Sequence, residues 1–197
     1  MKILFFADMH GDMEALSIIK KKSSEVDIVV CAGDISIMEE NLDNLVAQLN
    51  QLGLPVLMIH GNHEDDYRLR KLCEKYENIT FLHKAVHHMD NYVFLGYGGD
   101  GFSTTDPEFV RVANAFFKPE SKNKNTIILV THGPAYNTGI DLINDDPRGN
   151  KSYREFIDDV KPHLVISGHL HENAGKHHTL GRTLFINPGK TGVTVEI

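Results

Sequence analysis

The chain has 197 residues, 41% of them hydrophobic and 24% charged, a balance that suits one globular domain able to bury a core without staples. A formal net charge of −7 argues against non-specific attraction to nucleic acid, whose phosphates demand clustered Lys and Arg, and no strong nucleic-acid signal stands out. No stretch approaches the length of a membrane span, and the first apolar run ends at Asp8, too early for a signal peptide.

In chain order, KILFFA (2–7) predicts a strand and residues 13–23 a helix with Ala15, Leu16, Ile18 and Ile19 on one stripe. DIVVCA (27–32) predicts a second strand. Residues 38–52 predict a helix carrying Leu42, Leu45, Val46 and Leu49 at three- and four-residue spacing. PVLMIH (55–60) is a third strand and residues 66–76 a charged helix. Past Asn78 the pattern turns to strand and loop, with a strand at 92–97 entering GYGGDG and a short helix at 107–117. TIILVT (126–131) predicts a strand, 152–160 a helix, and 163–167 a further strand. Residues 176–197 read as short strands with turns at Leu180-Gly181 and Asn187-Pro188-Gly189. The first half is therefore βαβαβ, and the later meander of strands suggests a second sheet packed on the first, in a single α/β domain over residues 1–197. Cys31 and Cys73 have no CxxC partner, so a cysteine zinc site is excluded and a reduced, cytoplasmic protein is expected.

Five of the predicted strands end in residues that can bind metals. KILFFA runs into Asp8-Met9-His10, DIVVCA into Gly33-Asp34, and PVLMIH into Gly61-Asn62-His63-Glu64. TIILV leads to Thr131-His132-Gly133, and HLVIS to Gly168-His169-Leu170-His171. Loops at the carboxyl ends of parallel strands gather at one edge of a sheet, where ligands bind. Carboxylates, an amide oxygen and imidazoles together suit Mn²⁺, Fe or Zn²⁺. Residues i and i+2 of an extended segment point to the same side, so Asp8 and His10 can share one ion while His169 and His171 reach two adjacent ones. Any one of these residues has an ordinary structural explanation; the ordered set of five does not.

The order DMH, GD, GNHE, THG and GHLH resembles the calcineurin-like metallophosphoesterase family, and the match spans Asp8 to His171. The resemblance implies two packed mixed β-sheets sandwiched between helices. It implies a first metal held by Asp8, His10, Asp34 and His171, and a second by Asp34, Asn62, His132 and His169. Asp34 would bridge them with its two oxygens, and His63 matches the family's catalytic histidine. Two divalent ions are implied, manganese first, with Fe, Ni, Zn or Mg as alternatives.

Such a pair clamps a phosphate and acidifies a water. Two dications, the carboxylates of Asp8 and Asp34 and one hydroxide sum to about +1, which attracts a phosphodiester to an acidic chain. The expected activity is phosphodiester hydrolysis by metal-bound hydroxide, with a small phosphoester as substrate. The alternatives are a phosphomonoesterase or nucleotide hydrolase of the same family, or a non-catalytic interaction scaffold. Gly98 to Phe102, Tyr136, Asn137 and Arg148 are candidate substrate contacts, Phe102 by stacking. His60 is a candidate positioning residue. His83, His87, His88, His163, His177 and His178 have no partner motif, and Lys20 to Lys22 read as a solvated helix end. A homodimer is expected on base rate alone.

Overall fold

The computed structural model describes residues 1–99 and 101–197. The chain order is β1 (Lys2–Phe6), α1 (Met13–Ser23), β2 (Ile28–Cys31), α2 (Leu42–Asn50), β3 (Val56–Met58), α3 (Asp66–Cys73) and β4 (Ile79–Phe81). β5 (Ala85–Met89), β6 (Tyr92–Tyr97), α4 (Pro107–Val112) and β7 (Thr126–Thr131) follow. A small hairpin of β8 (Leu142–Ile143) and β9 (Asp146–Pro147) precedes α5 (Lys151–Val160) and β10 (Leu164–Ser167). β11 (His177–Leu180), β12 (Thr183–Ile186) and β13 (Val193–Glu196) complete the chain.

Two large sheets form, in the orders β13-β1-β2-β3-β4 and β11-β12-β10-β7-β6-β5. In the first, β1 to β4 are parallel and β13 returns antiparallel to β1, setting Lys2 opposite Glu196. The second is not a meander. Its four central strands, β12, β10, β7 and β6, are parallel, because α4 and α5 carry the chain back between β6, β7 and β10. Only its edges, β5 and β11, are antiparallel.

The two-residue alternation of strand side chains makes the layers. Ile3 and Phe5 of β1, with Ala7 just past its end, face the second sheet, where they meet Phe94, Ile128, Val130, Leu164 and Ile166. Leu4 and Phe6 point the other way, against Leu16 and Ile19 of α1 and Leu45, Val46 and Leu49 of α2. Behind the second sheet, Leu95, Leu129 and Val165 pack on Phe109, Phe117, Phe156 and Ile157. The result is helix, sheet, sheet, helix.

Three predicted helices are shortened by local chemistry. α2 starts at Leu42 rather than 38, because Met38, Glu39 and Asn41 adopt φ of 47°, 65° and 55°, which no α-helix contains. α3 ends at Cys73. The helix predicted over 107–117 is α-helical only to Val112 and continues as a π-helical turn over Ala113–Phe117. Lys22 is not merely solvated: its Nζ donates to Thr191 O and Gly192 O, tying α1 to the segment before β13. Cys31 and Cys73 are buried and unpaired, as a core role requires.

Candidate metal centre

β1, β2 and β3 end beside β7 and β10, and the five loops that follow them interlock. The Asp8 amide donates to Gly33 O at 3.0 Å and the His10 amide to Asp34 O at 3.0 Å, which locks the first loop on the second. Gly61 and Gly168 permit close approaches to two of the carboxylates. A Cβ on Gly61 would lie 2.0 Å from Asp34 Oδ1, and one on Gly168 would lie 2.6 Å from Asp8 Oδ2, so neither position accepts a side chain. Asp8, His10, Asp34 and His169 have φ of 56°, 48°, 54° and 68°. Left-handed backbone at a non-glycine residue costs about 1–3 kcal/mol and persists only where the surroundings dictate it.

The side chains of Asp8, His10, Asp34, Asn62, His63, His132, His169 and His171 all meet at this edge. His132 is buried; its Nδ1–H donates to Ala32 O at 2.9 Å, and its Nε2 lies 3.1 Å from Asn62 Oδ1 and 3.3 Å from Asp34 Oδ2. His169 Nδ1 lies 3.1 Å from the same amide oxygen. His10 Nδ1 donates to Ser36 O at 3.2 Å, and its Nε2 lies 3.0 Å from His171 Nε2. Asp8 accepts the His169 amide on both oxygens, each at 3.0 Å. Donors around one ion at about 2.1 Å sit roughly 3.0 Å apart in an octahedral site and roughly 3.4 Å in a tetrahedral one, so these spacings fit a shared cation. One ligand atom each from Asp8, His10 and His171, and likewise from Asp8, Asp34 and His132, lies within 4.8 Å of the others, which makes both groups candidate cation sites. His10, Asp34 and His63 form a third such group.

The charges fit the same picture. Burial raises the pKa of Asp8, against the pull of His132 and the His169 amide. Burial also acts to raise Asp34, but the hydrogen bond and charge of His132 with the His63 amide outweigh it, so Asp34 stays below the usual carboxylate range. Burial would lower His132, yet Asp34 holds it above the ordinary imidazole value. His63 turns Nε2 to the centre, 4.0 Å from Asp34 Oδ2. Its Nδ1 accepts the Met38 amide at 3.3 Å, which places the proton of a neutral ring on Nε2.

Glu64, to which the motif GNHE assigned no role, braces the candidate centre. It is buried, and its carboxylate accepts the amides of Asp34 and Gly61 at 3.0 Å, the Ser36 amide at 3.0 Å and the Ser36 hydroxyl at 2.8 Å. One side chain thus fastens the β2 loop to the β3 loop. The signal was an acid beside Asn62 and His63 at a strand end, ahead of the Asp65 cap of α3.

Phe102, Tyr136 and Arg148 line one pocket of about 400 Å³, which also touches His169. The Phe102 ring meets His169 edge-on at 4.2 Å. Asp100, within the Gly98–Phe102 segment read as a substrate contact, lies outside the described residues. His60 lies behind the centre, edge-on to His83 at 4.4 Å, and burial pushes its pKa down to about 4. Among the described residues the buried Nδ1 of His60 has no hydrogen-bond partner. His163 accepts the Ile127 amide, a structural task, and His177 and His178 are exposed on β11.

Fold and donor set together define a metal-binding α/β sandwich. The chain matches the family model of the calcineurin-like phosphoesterases over residues 1–173 and belongs to that family, which makes it a metal-dependent phosphoesterase. It is 28% identical over 203 residues to an uncharacterised protein of Methanocaldococcus jannaschii, covering 95% of this chain and 88% of the relative. An uncharacterised protein of Bacillus subtilis is 22% identical over 198 residues, covering 97% of this chain and 68% of that one. Among solved structures, the protein TT1561 of Thermus thermophilus superposes with a TM-score of 0.78 at 18% identity, covering 96% of this chain and 90% of the other. A dimetal phosphatase from Danio rerio gives 0.67 at 12% identity, with 94% and 86% covered. At these identities the superpositions speak for the fold. No helix among the described residues is long and apolar enough to cross a membrane.

Proposed function

We propose that the chain is a phosphodiesterase working with two divalent ions, one held by Asp8, His10, Asp34 and His171, the other by Asp34, Asn62, His132 and His169. The observation that carries this reading is the position of Asp34 Oδ2, 3.3 Å from His132 Nε2 and 3.9 Å from His10 Nε2, between the two donor sets. Asp34 Oδ1 already accepts the His63 amide at 3.0 Å. Oδ2 is therefore the Asp34 oxygen that faces both donor sets.

Bound divalent ions would supply Lewis-acid charge for the phosphoryl oxygens and a water acidic enough to attack near neutral pH. The chain's own residues orient the rest. The His169 amide fixes the plane of the Asp8 carboxylate, and the Ala32 and Ser36 carbonyls fix the tautomers of His132 and His10. His63 presents Nε2–H to the centre and in this reading donates to the departing ester oxygen. Two pockets support a diester over a monoester. One of about 460 Å³ lies against Asp8, His10, Asp12 and Lys190, and the other lies at His169, so both ester arms have a place. Manganese is the first choice, because carboxylate, amide and imidazole donors suit it. Buried, unpaired Cys31 and Cys73 support a reducing compartment, the cytoplasm.

The test uses metal-stripped protein with Mn²⁺, Ni²⁺, Zn²⁺ or Mg²⁺ restored singly, on bis-p-nitrophenyl phosphate and p-nitrophenyl phosphate. We expect metal-dependent diester cleavage that Asp34→Asn reduces by roughly three orders of magnitude or more, together with loss of bound metal. Cleavage of the monoester alone would make the chain a phosphomonoesterase. No cleavage and no retained metal would leave the scaffold reading.

A further inference from the structure

The pocket beside His169 is held in shape by groups that take no part in the metal centre. Asp141 is fully buried, and its carboxylate accepts three backbone amides: Asn137 at 2.7 Å, Thr138 at 2.9 Å and Gly149 at 3.1 Å. Its own carbonyl takes the Arg148 amide at 2.8 Å. Buried Asn150 adds a second tie, donating through Nδ2 to Ser103 O at 2.8 Å, while its backbone pairs with Tyr136 and Pro134. A carboxylate that spends its acceptors on the amides flanking Tyr136 and Arg148 fixes where those two side chains start. Such preorganisation is what a ligand pocket needs, and about 400 Å³ lies within the usual range.

The lining is chemically uneven. Arg148 and Lys151 place two cations on this pocket in a chain whose formal net charge is −7. The Arg148 guanidinium is paired with Asp146 at 3.2 Å, both side chains being more than half exposed, a contact that an incoming phosphate can replace at little cost. Lys151 Nζ stands 5.3 Å from the centre of the Tyr136 ring. Tyr136 and Phe102 supply aromatic faces, and Ile143 and Pro147 of the β8–β9 hairpin close one wall.

Resting on the phosphodiesterase reading, we infer that this pocket is a specificity subsite for an ester arm of nucleotide type. An aromatic base packs against Tyr136 and Phe102, and a second phosphate is taken by Arg148 and Lys151. Charge-assisted contacts to a phosphate favour the doubly phosphorylated arm, and the base gains stacking area that an alkyl arm lacks.

The experiment compares, in the Mn²⁺-loaded full chain, the p-nitrophenyl ester of thymidine 5′-phosphate with the same ester carrying a 3′-phosphate. We expect the 3′-phosphate to raise kcat/KM by roughly tenfold, the scale of one charge-assisted hydrogen bond. In the double variant Arg148→Gln, Lys151→Gln that ratio should fall to about one. Because the ratio is taken within each protein, a general loss of activity cancels. Tyr136→Leu should lower kcat/KM on both nucleotide esters relative to methyl p-nitrophenyl phosphate. No advantage of the 3′-phosphate in the wild type, or its persistence in the double variant, overturns the inference. If no ester is cleaved with any ion, the phosphodiesterase reading fails by itself. The subsite is then read from calorimetric binding of thymidine 3′,5′-bisphosphate to the full chain in chelator. Absent binding, or equal binding by the double variant, overturns it there too.

Discussion

Asp34 gathers more of the centre than any other side chain: one oxygen takes the His63 amide, and the other faces three imidazoles. Glu64 is the residue that makes this arrangement hold, since it fastens the Asp34 amide and the Gly61 amide to one carboxylate. Glu64→Gln keeps the size but turns one acceptor into a donor facing backbone N–H groups. We expect metal affinity to drop about 10- to 100-fold, with Glu64→Asp recovering part of it. Calorimetric titration with Mn²⁺ checks this, and an unchanged affinity would reduce Glu64 to a loop brace. That these residues gather at one edge was legible in the sequence, because Asp, His and Asn recurring at strand ends have few other reasons to be there. Glu64 was harder to read, because an acid beside Asn62 and His63 marks the place but not its work, which is backbone hydrogen bonding. The pairing of Phe102, Tyr136 and Arg148 in one pocket was beyond the sequence for a similar reason: buried Asp141 brings the last two together, and nothing local marks it.

Among the elements, the centre straddles both sheets. β1, β2 and β3 deliver Asp8, His10, Asp34 and Asn62, whereas β7 and β10 deliver His132, His169 and His171. The two halves are held in register by the apolar layer between the sheets, so damage there should reach the candidate metal site. Phe94 lies in that layer and Phe117 in the outer one behind the second sheet, and both are fully buried. Phe94→Ala and Phe117→Ala should each cost about 3–5 kcal/mol by urea unfolding. Only Phe94→Ala should also weaken Mn²⁺ binding; equal weakening by both would mean that the sheets do not act as separate carriers. The parallel βαβ half was readable because its strands are continuous apolar runs divided by amphipathic helices. The second sheet was misread as a meander because parallel and antiparallel strands share one apolar pattern, and only the helices between them decide. β8 and β9, two residues each, are too short to leave any periodicity.

At the scale of the molecule, burial makes stability depend on pH through His83. Its ring is buried, accepts the Gly98 amide at 2.8 Å on Nδ1, and is pushed far below the ordinary imidazole pKa by desolvation and then by His60. The unfolded chain takes up this proton as pH falls below about 6.5 while the folded chain does not, so stability is full above that value and declines beneath it. The decline is about 1.4 kcal/mol by pH 5.5 for one such group. His83→Gln keeps an acceptor for Gly98 and cannot titrate. Its unfolding free energy in chelator should therefore fall less than the wild type's between pH 7 and 5.5, and identical declines would assign the acid sensitivity elsewhere.

The antiparallel pairing of β13 with β1 bears on how the molecule is made. Translation delivers β1 well before β13, with Asp8 and His10 close behind it, but the strand that covers its outer edge is residues 193–196. Every donor has been synthesised by His171, some twenty residues earlier in the chain. Until β13 arrives, the first sheet keeps an open edge of unpaired backbone groups, the kind that recruits foreign strands. β13, which follows every donor in the chain, is therefore the strand that protects β1.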